Sequence, residues 1–301
     1  MAPSDAATQI EALVSVSPKN SLGAENQDVS TTLNYLKHPG PKGLPPIDSG
    51  IPESERRYAR RDNITEVHRV VIKDIRGREK DFTWDVQGFQ YLQHKIEGVT
   101  DWTDRKQIHE IIQPATEKLV KKITGASKTV VYLDRNRYKP NVEGESMSTM
   151  QSPSHGVHTD VTRVSCRFLL KNVIPDDKEV ERLLTRRFMV VNVWRPVKQI
   201  LRDPLGVCDW KSVDPNNDIH GDRRVTSEGI MELGLPTFSE KHEWYYLSGQ
   251  RPDEPLLFKQ LDSNPDNNIT LIHSAFVDPK YANFPARESF EMKIFAFFDE
   301  E

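Results

Sequence analysis

Cysteine is nearly missing from this chain. Cys166 and Cys208 are the only two among 301 residues, too few for a disulfide framework or an all-thiolate zinc site. No apolar run approaches the ~18 residues of a membrane span, and mean hydropathy is −0.63. A basic excess is missing too: 41 Lys and Arg against 45 Asp and Glu leave a net charge of −4. That balance speaks against a general nucleic-acid binder, which needs cations to replace phosphate counterions. No secretory layout, retention tripeptide or peroxisomal tripeptide is visible, so the expected location is the cytoplasm. Internal repeats and low-complexity tracts are absent as well. What remains is a globular chain, 36% hydrophobic, long enough for one large β domain or two small ones.

Two textures divide it. Residues 1–60 read as an extended or partly disordered arm, because His38–Pro52 carries five prolines and three glycines, which favour turn-rich backbone. The basic cluster Arg56-Arg57-Tyr58-Ala59-Arg60-Arg61 that follows reads as a solvated face. Residues 61–301 read as one domain, with strand-like texture setting in from Glu66. His68–Asp74 predicts a strand, Gly88–Lys95 a helical tract, and Asp104–Ile123 a longer helix stopped by Gly125. Lys128–Asp134 predicts a strand. Later runs predict further strands over Val161–Leu170, Phe188–Arg195, Glu243–Leu247, Leu256–Gln260, Ile269–Ala275 and Phe290–Phe298. Short strands between Gly, Pro, Asn and Asp loops point to a sandwich or barrel with helices added before it.

Chemistry concentrates in a few places. In Ser154-His155-Gly156-Val157-His158-Thr159-Asp160, residues two apart on a strand share a face, so His158 and Asp160 project together. They supply two thirds of a 2-His-1-carboxylate facial triad, which holds Fe(II) and leaves positions open. Taken alone such a triplet is more often a structural pair. His273, between apolar neighbours, offers the second imidazole, although a lone histidine there is commonly a core residue. Arg287 and Ser289 also share a face, and a guanidinium fork beside a hydroxyl suits a dicarboxylate. His155 would point away from the metal, and Asp218-Ile219-His220 sits in a loop with no strand after it. Arg195 must find a partner if buried, either structural or in a cosubstrate. Trp244, Tyr245 and Tyr246 read first as sheet core, and Lys259 with Asp262 as a surface ion pair. Arg137 and Tyr138 precede the His-x-Asp motif as weaker pocket candidates. Neither cysteine has a base nearby to make it a nucleophile.

His158-x-Asp160, the distal His273 and Arg287-x-Ser289 together resemble the Fe(II)/2-oxoglutarate-dependent oxygenases. More narrowly, the chain is similar to the fungal gibberellin desaturase and asaB-type hydroxylase/desaturase family, and to a cephamycin-pathway protein. The similarity is carried by Asn192–Pro196, Asp203–Asp209, His242–Tyr246, Phe258–Ser263, His273–Phe276 and Pro285–Ser289, in the family's order from about residue 128 to 298. The wide His158 to His273 spacing agrees with this narrower family.

The resemblance implies a mainly β fold with added α. This is a double-stranded β-helix, the cupin-like jelly-roll, with N-terminal helices packed on the major sheet and a long insertion over 171–240. It also implies that His158, Asp160 and His273 bind Fe(II), that Arg287, Ser289 and Arg195 contact 2-oxoglutarate, and that O₂ is the co-substrate. Arg137, Tyr138, Trp194 and Tyr246 are the implied substrate contacts. The substrate would be a hydrophobic natural-product intermediate, hydroxylated or desaturated with succinate and CO₂ as co-products. No nucleic-acid or membrane partner is implied, and a homodimer is left open. Two other readings remain: a cupin-like metal isomerase or dioxygenase without 2-oxoglutarate, and a non-catalytic binding partner of the same fold.

Overall fold

The computed structural model describes residues 27–39, 43–44, 46–48, 64–139, 151–226, 229–264, 267 and 270–299. Its strands are β1 (Val29–Leu36), β2 (Ile47–Asp48), β3 (Thr65–Asp74), β4 (Phe89–Tyr91), β5 (Lys128–Arg137), β6 (Phe188–Pro196), β7 (Leu205–Cys208), β8 (Ile219–Thr226), β9 (Gly229–Pro236), β10 (Trp244–Tyr246), β11 (Leu256–Asp262), β12 (His273–Ala275) and β13 (Ser289–Phe297). The helices are α1 (Arg105–Gln107), α2 (Gln113–Thr124), α3 (Cys166–Lys171) and α4 (Asp177–Leu184). One sheet has the order β4-β11-β6-β13-β5, the other β1-β3-β10-β7-β12, and a short third sheet β2-β8-β9 flanks them. Phe89, Trp194 and Phe258 of the first sheet meet Val207 and Tyr245 of the second in one buried cluster. This is the mainly β jelly-roll that the sequence predicts.

Strand β13 shows why the helices pack where they do. Side chains alternate across a strand, and here both faces are apolar at one end. Phe290, Met292, Ile294 and Ala296 meet Ile108, Ile112, Leu119 and Val120 of the helical segment. Phe295 and Phe297 turn the other way, onto Phe188, Leu170 and Val180. Each such side chain contributes roughly 1.5–3 kcal/mol on burial, so a charge at Ile294 would undo the helix–sheet contact. Between α1 and α2 the chain makes a π-helical turn, Ile108–Ile112, in which the Gln113 N–H reaches back to Ile108 O. The wider turn accommodates Pro114, which has no N–H and crowds the preceding carbonyl. Gly125, at φ 77°, ends α2 as expected.

Other expectations are corrected. Gly88–Lys95 is not helical: Phe89–Tyr91 is an edge strand paired with Leu256–Phe258. The strand expected over Val161–Leu170 is a 3-10 turn, Arg163–Ser165, running into α3. Cys166 and Leu170, four apart, share one buried face there, and that helical period overrides the β-branched residues. Ile269 lies outside the described residues, and in the described part of that run only His273–Ala275 is a strand. The stretch 171–240 is not one insertion, because it contains β6 and β7, which are strands of the two main sheets. Its additions are α4 and the β8–β9 hairpin, whose first strand takes in Ile219 and His220, expected in a loop with no strand after it. Part of the N-terminal arm is built into the second sheet, where β1 pairs with β3 along its length. Most of the proline-rich stretch and all of Arg56–Arg61 lie outside the described residues. No described helix is long and apolar enough to cross a membrane.

Candidate metal centre and cosubstrate pocket

His158 and Asp160 leave an irregular extended segment rather than a strand, and three neighbours fix its course. His158 and His273 exchange backbone hydrogen bonds of 3.2 and 3.0 Å, which brings their ring centroids to 4.4 Å. Thr159 does the same with Gly234, at 2.8 and 3.1 Å. A β-carbon at Gly234 would collide with Thr159 and Ile219, so the approach depends on glycine. From β11, the Gln260 side-chain Oε1 accepts the Asp160 N–H at 2.7 Å and the Thr159 hydroxyl at 3.0 Å. The Gln260 amide in turn donates to Leu271 O at 2.9 Å.

The result is a compact donor set. His158 Nε2 and His273 Nε2 each lie 3.5 Å from an Asp160 oxygen, and one ligand atom from each residue lies within 4.8 Å of the others. His158 Nδ1 is 2.8 Å from Gly156 O. A carbonyl partner places a proton on Nδ1 and turns Nε2 toward the donor set. Burial, with His158 adjacent, pushes the His273 pKa down to about 3, so this ring is neutral. Burial would raise Asp160, but the neighbouring Lys293 ammonium outweighs it and holds the carboxyl well below its usual range. Lys293 Nζ lies 2.6 Å from Asp160 Oδ1, and the Asn192 amide donates to Oδ2 at 2.5 Å. Two imidazoles and one carboxylate suit Fe(II).

Beside this centre lie donors with nothing to bind. Arg287 precedes β13 and donates from Nη1 to Asp203 O at 2.5 Å. Its Nε, and the Oγ of Ser289, are buried without a hydrogen-bond partner. Such orphans are rare in folded proteins, and a carboxylate would satisfy both. Burial and the neighbouring Arg137 push the Arg287 pKa down to about 9, which leaves it cationic at neutral pH. The guanidinium lies 5.3 Å from the Trp194 ring centroid. One pocket is lined by the two histidines, Asp160, Arg287, Arg137, Glu291 and Ser154, with Trp194, Leu205, Phe258 and Ala275 as its apolar wall.

Not every candidate is brought here. Arg195 lies on the face of β6 shared with Val191 and Val193, toward the helices. Its fork is occupied by His94 O at 2.6 Å, Pro252 O at 3.2 Å and His94 Nδ1 at 2.9 Å, so it does not reach the pocket. Tyr246 donates its hydroxyl to Gln27 O at 2.6 Å and packs with Trp244 in the core. Tyr138 lies just past β5, 44% exposed, and does not line the pocket. Lys259 and Asp262 are no surface pair. Both are buried, Asp262 bonds Arg187 at 3.2 Å, and Lys259 Nζ lies 4.8 Å from the Trp84 ring centroid. Four polar residues at the site went unread in the sequence: Asn192, Gln260, Glu291 and Lys293. The signal existed for the last two, since Arg287, Ser289, Glu291 and Lys293 recur at every second position into an otherwise apolar strand.

Comparison with known proteins agrees with this geometry. The family model described as YDMC, Oxidoreductase/YMDC permease-like domain, matches residues 33–297. The hydroxylase/desaturase efuI of Hormonema carpetanum is 30% identical over 302 residues, covering 92% of this chain and 97% of its own length. The chain belongs to the fungal hydroxylase/desaturase family of Fe(II)/2-oxoglutarate-dependent oxygenases. Within that family, the alpha-ketoglutarate-dependent dioxygenase phiK of Fungal sp. (strain ATCC 74256) is 29% identical over 289 residues, 93% of this chain and 99% of its own. The solved iron and alpha-ketoglutarate-dependent endoperoxidase NvfI superposes with a TM-score of 0.74 at 25% identity, covering 91% of this chain and 99% of that one. The oxygenase is thus an oxidoreductase that works with Fe(II), 2-oxoglutarate and O₂ on small molecules. Neither the isomerase nor the non-catalytic reading finds support among these relatives.

Proposed function

We propose that the oxygenase holds Fe(II) with His158, Asp160 and His273, and seats the far carboxylate of 2-oxoglutarate on Arg287 and Ser289. It would then hydroxylate or desaturate a hydrophobic natural-product intermediate in the cytoplasm. One observation carries this reading: three ligand atoms within 4.8 Å of one another share a pocket wall with a buried arginine whose Nε has no partner. When bound, iron and 2-oxoglutarate with O₂ supply the oxidising chemistry, with succinate and CO₂ as co-products.

The chain's own residues do the rest. The Gly156 carbonyl keeps His158 in the orientation that presents Nε2, and Lys293 with Asn192 holds the Asp160 carboxylate in place. Arg287 and Ser289 donate to the cosubstrate and so orient it. Trp194, Phe258 and Leu205 exclude water and favour an apolar substrate beside the metal. Arg137, bonded to Glu291 at 3.0 Å and to Ser152 O at 2.6 Å, gives the pocket a rigid polar rim.

The test needs no substrate. Fe(II) and 2-oxoglutarate are added to the protein under anaerobic conditions, and the weak visible charge-transfer band of the chelate is followed. His158→Ala should abolish the band. Arg287→Ala should raise half-saturating 2-oxoglutarate about 10- to 100-fold, the loss of a charge-assisted hydrogen bond. A band that survives in His158→Ala, or unchanged saturation in Arg287→Ala, removes the corresponding assignment.

A further inference from the structure

Asp203 is the one non-glycine residue with a left-handed backbone among the described residues, at φ 51°. It also precedes Pro204, and a following proline steers a residue toward extended conformations. A conformation disfavoured twice persists only where the surroundings over-determine it.

Those surroundings are the binding elements themselves. Asp203 is 5% exposed. Its carbonyl accepts the Arg287 guanidinium. Its carboxylate lies 3.5 Å from His155 Nε2, three residues before His158, and 3.3 Å from Arg202 Nε. Arg202 in turn donates to Phe284 O at 2.9 Å, on the segment that leads to Arg287. Immediately after Pro204, β7 pairs with β12, which carries His273. One strained residue therefore touches the His158 loop and the arginine anchor, and it opens the strand beside the second histidine.

We propose that Asp203 is a positioning residue for 2-oxoglutarate: its left-handed backbone aims the carbonyl at Arg287 Nη1 and so leaves Nε facing the cosubstrate carboxylate. This rests on the assignment of Arg287 to 2-oxoglutarate. The arginine is held at one nitrogen before the cosubstrate arrives, and little ordering is left for binding to do. What acts is the direction of a backbone carbonyl, so tolerance at position 203 should follow φ rather than side-chain chemistry.

The experiment titrates Fe(II)-loaded protein anaerobically with 2-oxoglutarate and, in parallel, titrates the metal-free protein with Mn(II). Glycine adopts this φ freely and asparagine tolerates it, so Asp203→Gly and Asp203→Asn should keep 2-oxoglutarate affinity within about twofold. Asp203→Val, β-branched and penalised at positive φ, should weaken it about tenfold with Mn(II) affinity unchanged. Where the valine variant does not fold, Asp203→Ala makes the same test with a loss of about fivefold. Wild-type affinity in the valine or alanine variant overturns the proposal. So does a parallel loss of Mn(II) binding, which marks a general structural role, or an equal loss in Asp203→Gly, which marks the side chain as the agent. An Arg287→Ala variant that binds 2-oxoglutarate normally instead overturns the underlying assignment, whatever Asp203 does.

Discussion

The histidine–aspartate cluster of the pocket and the one before β10 are built from the same residue types and finished differently. In the one before β10, the His242 side chain is 1% exposed, with Nε2 at 3.1 Å from Asp218 and Nδ1 at 3.2 Å from the Tyr35 hydroxyl. The Trp244 indole donates to the same hydroxyl at 2.8 Å, and the imidazole stacks on Tyr35 at 5.7 Å. Both ring nitrogens are occupied, and the chain of bonds ties β1 to the β8 hairpin and to β10. Around His158, Asp160 and His273, by contrast, His273 Nδ1, Asn192 Oδ1, Arg287 Nε and Ser289 Oγ all lack a partner. Residue type does not separate these two clusters. Unspent hydrogen-bonding capacity does.

The strongest way to break this contrast is to truncate one histidine from each cluster. His273→Ala should abolish Mn(II) binding and 2-oxoglutarate-dependent turnover. His242→Ala should retain metal binding but lose about 1–3 kcal/mol of stability in urea unfolding, because Asp218 and Tyr35 are left unpaired. Loss of metal binding in the His242 variant would erase the distinction.

A smaller effect sharpens it. Burial lowers the His242 pKa, with Asp218 only partly opposing. The unfolded chain takes up a proton as pH falls through about 6.5 while the folded chain resists. This contribution is therefore full above that pH and is lost below it. His242→Gln should flatten part of the fall in urea midpoint between about pH 7.5 and about pH 5.5. An equal fall in both proteins would show that the closed cluster does not resist protonation. The smallest effect is expected at Arg195, on the far face of β6. Arg195→Met should leave the 2-oxoglutarate requirement where it is, and a rise would return this residue to the pocket.

Legibility followed the chemistry of spacing. Arg287-x-Ser289 was readable because a two-residue period survives on any extended chain, and the strand β13 was readable from its two apolar faces. His158-x-Asp160 pointed to a shared face although no regular strand carries it; paired bonds to His273 and Gly234 do the same work. Glu291 and Lys293 were hidden among phenylalanines, where strand composition masks an inward polar row. Gln260 was hidden because its role is to satisfy backbone groups of a loop one hundred residues away. Val161–Leu170 misled because Val, Thr and Val near its start favour a strand, while packing on α4 and β13 rewards the helical spacing of Cys166 and Leu170.

The ion pair between Lys293 and Asp160 bears on the order of assembly. A carboxylate sealed in a barrel with no countercharge would oppose closure until a cation arrived. The ammonium already balances it, so the polypeptide can complete its fold first and acquire iron as the last step of maturation. In zinc-dependent miniature domains, metal and folding are inseparable. Here a chelator should yield an intact, reloadable protein.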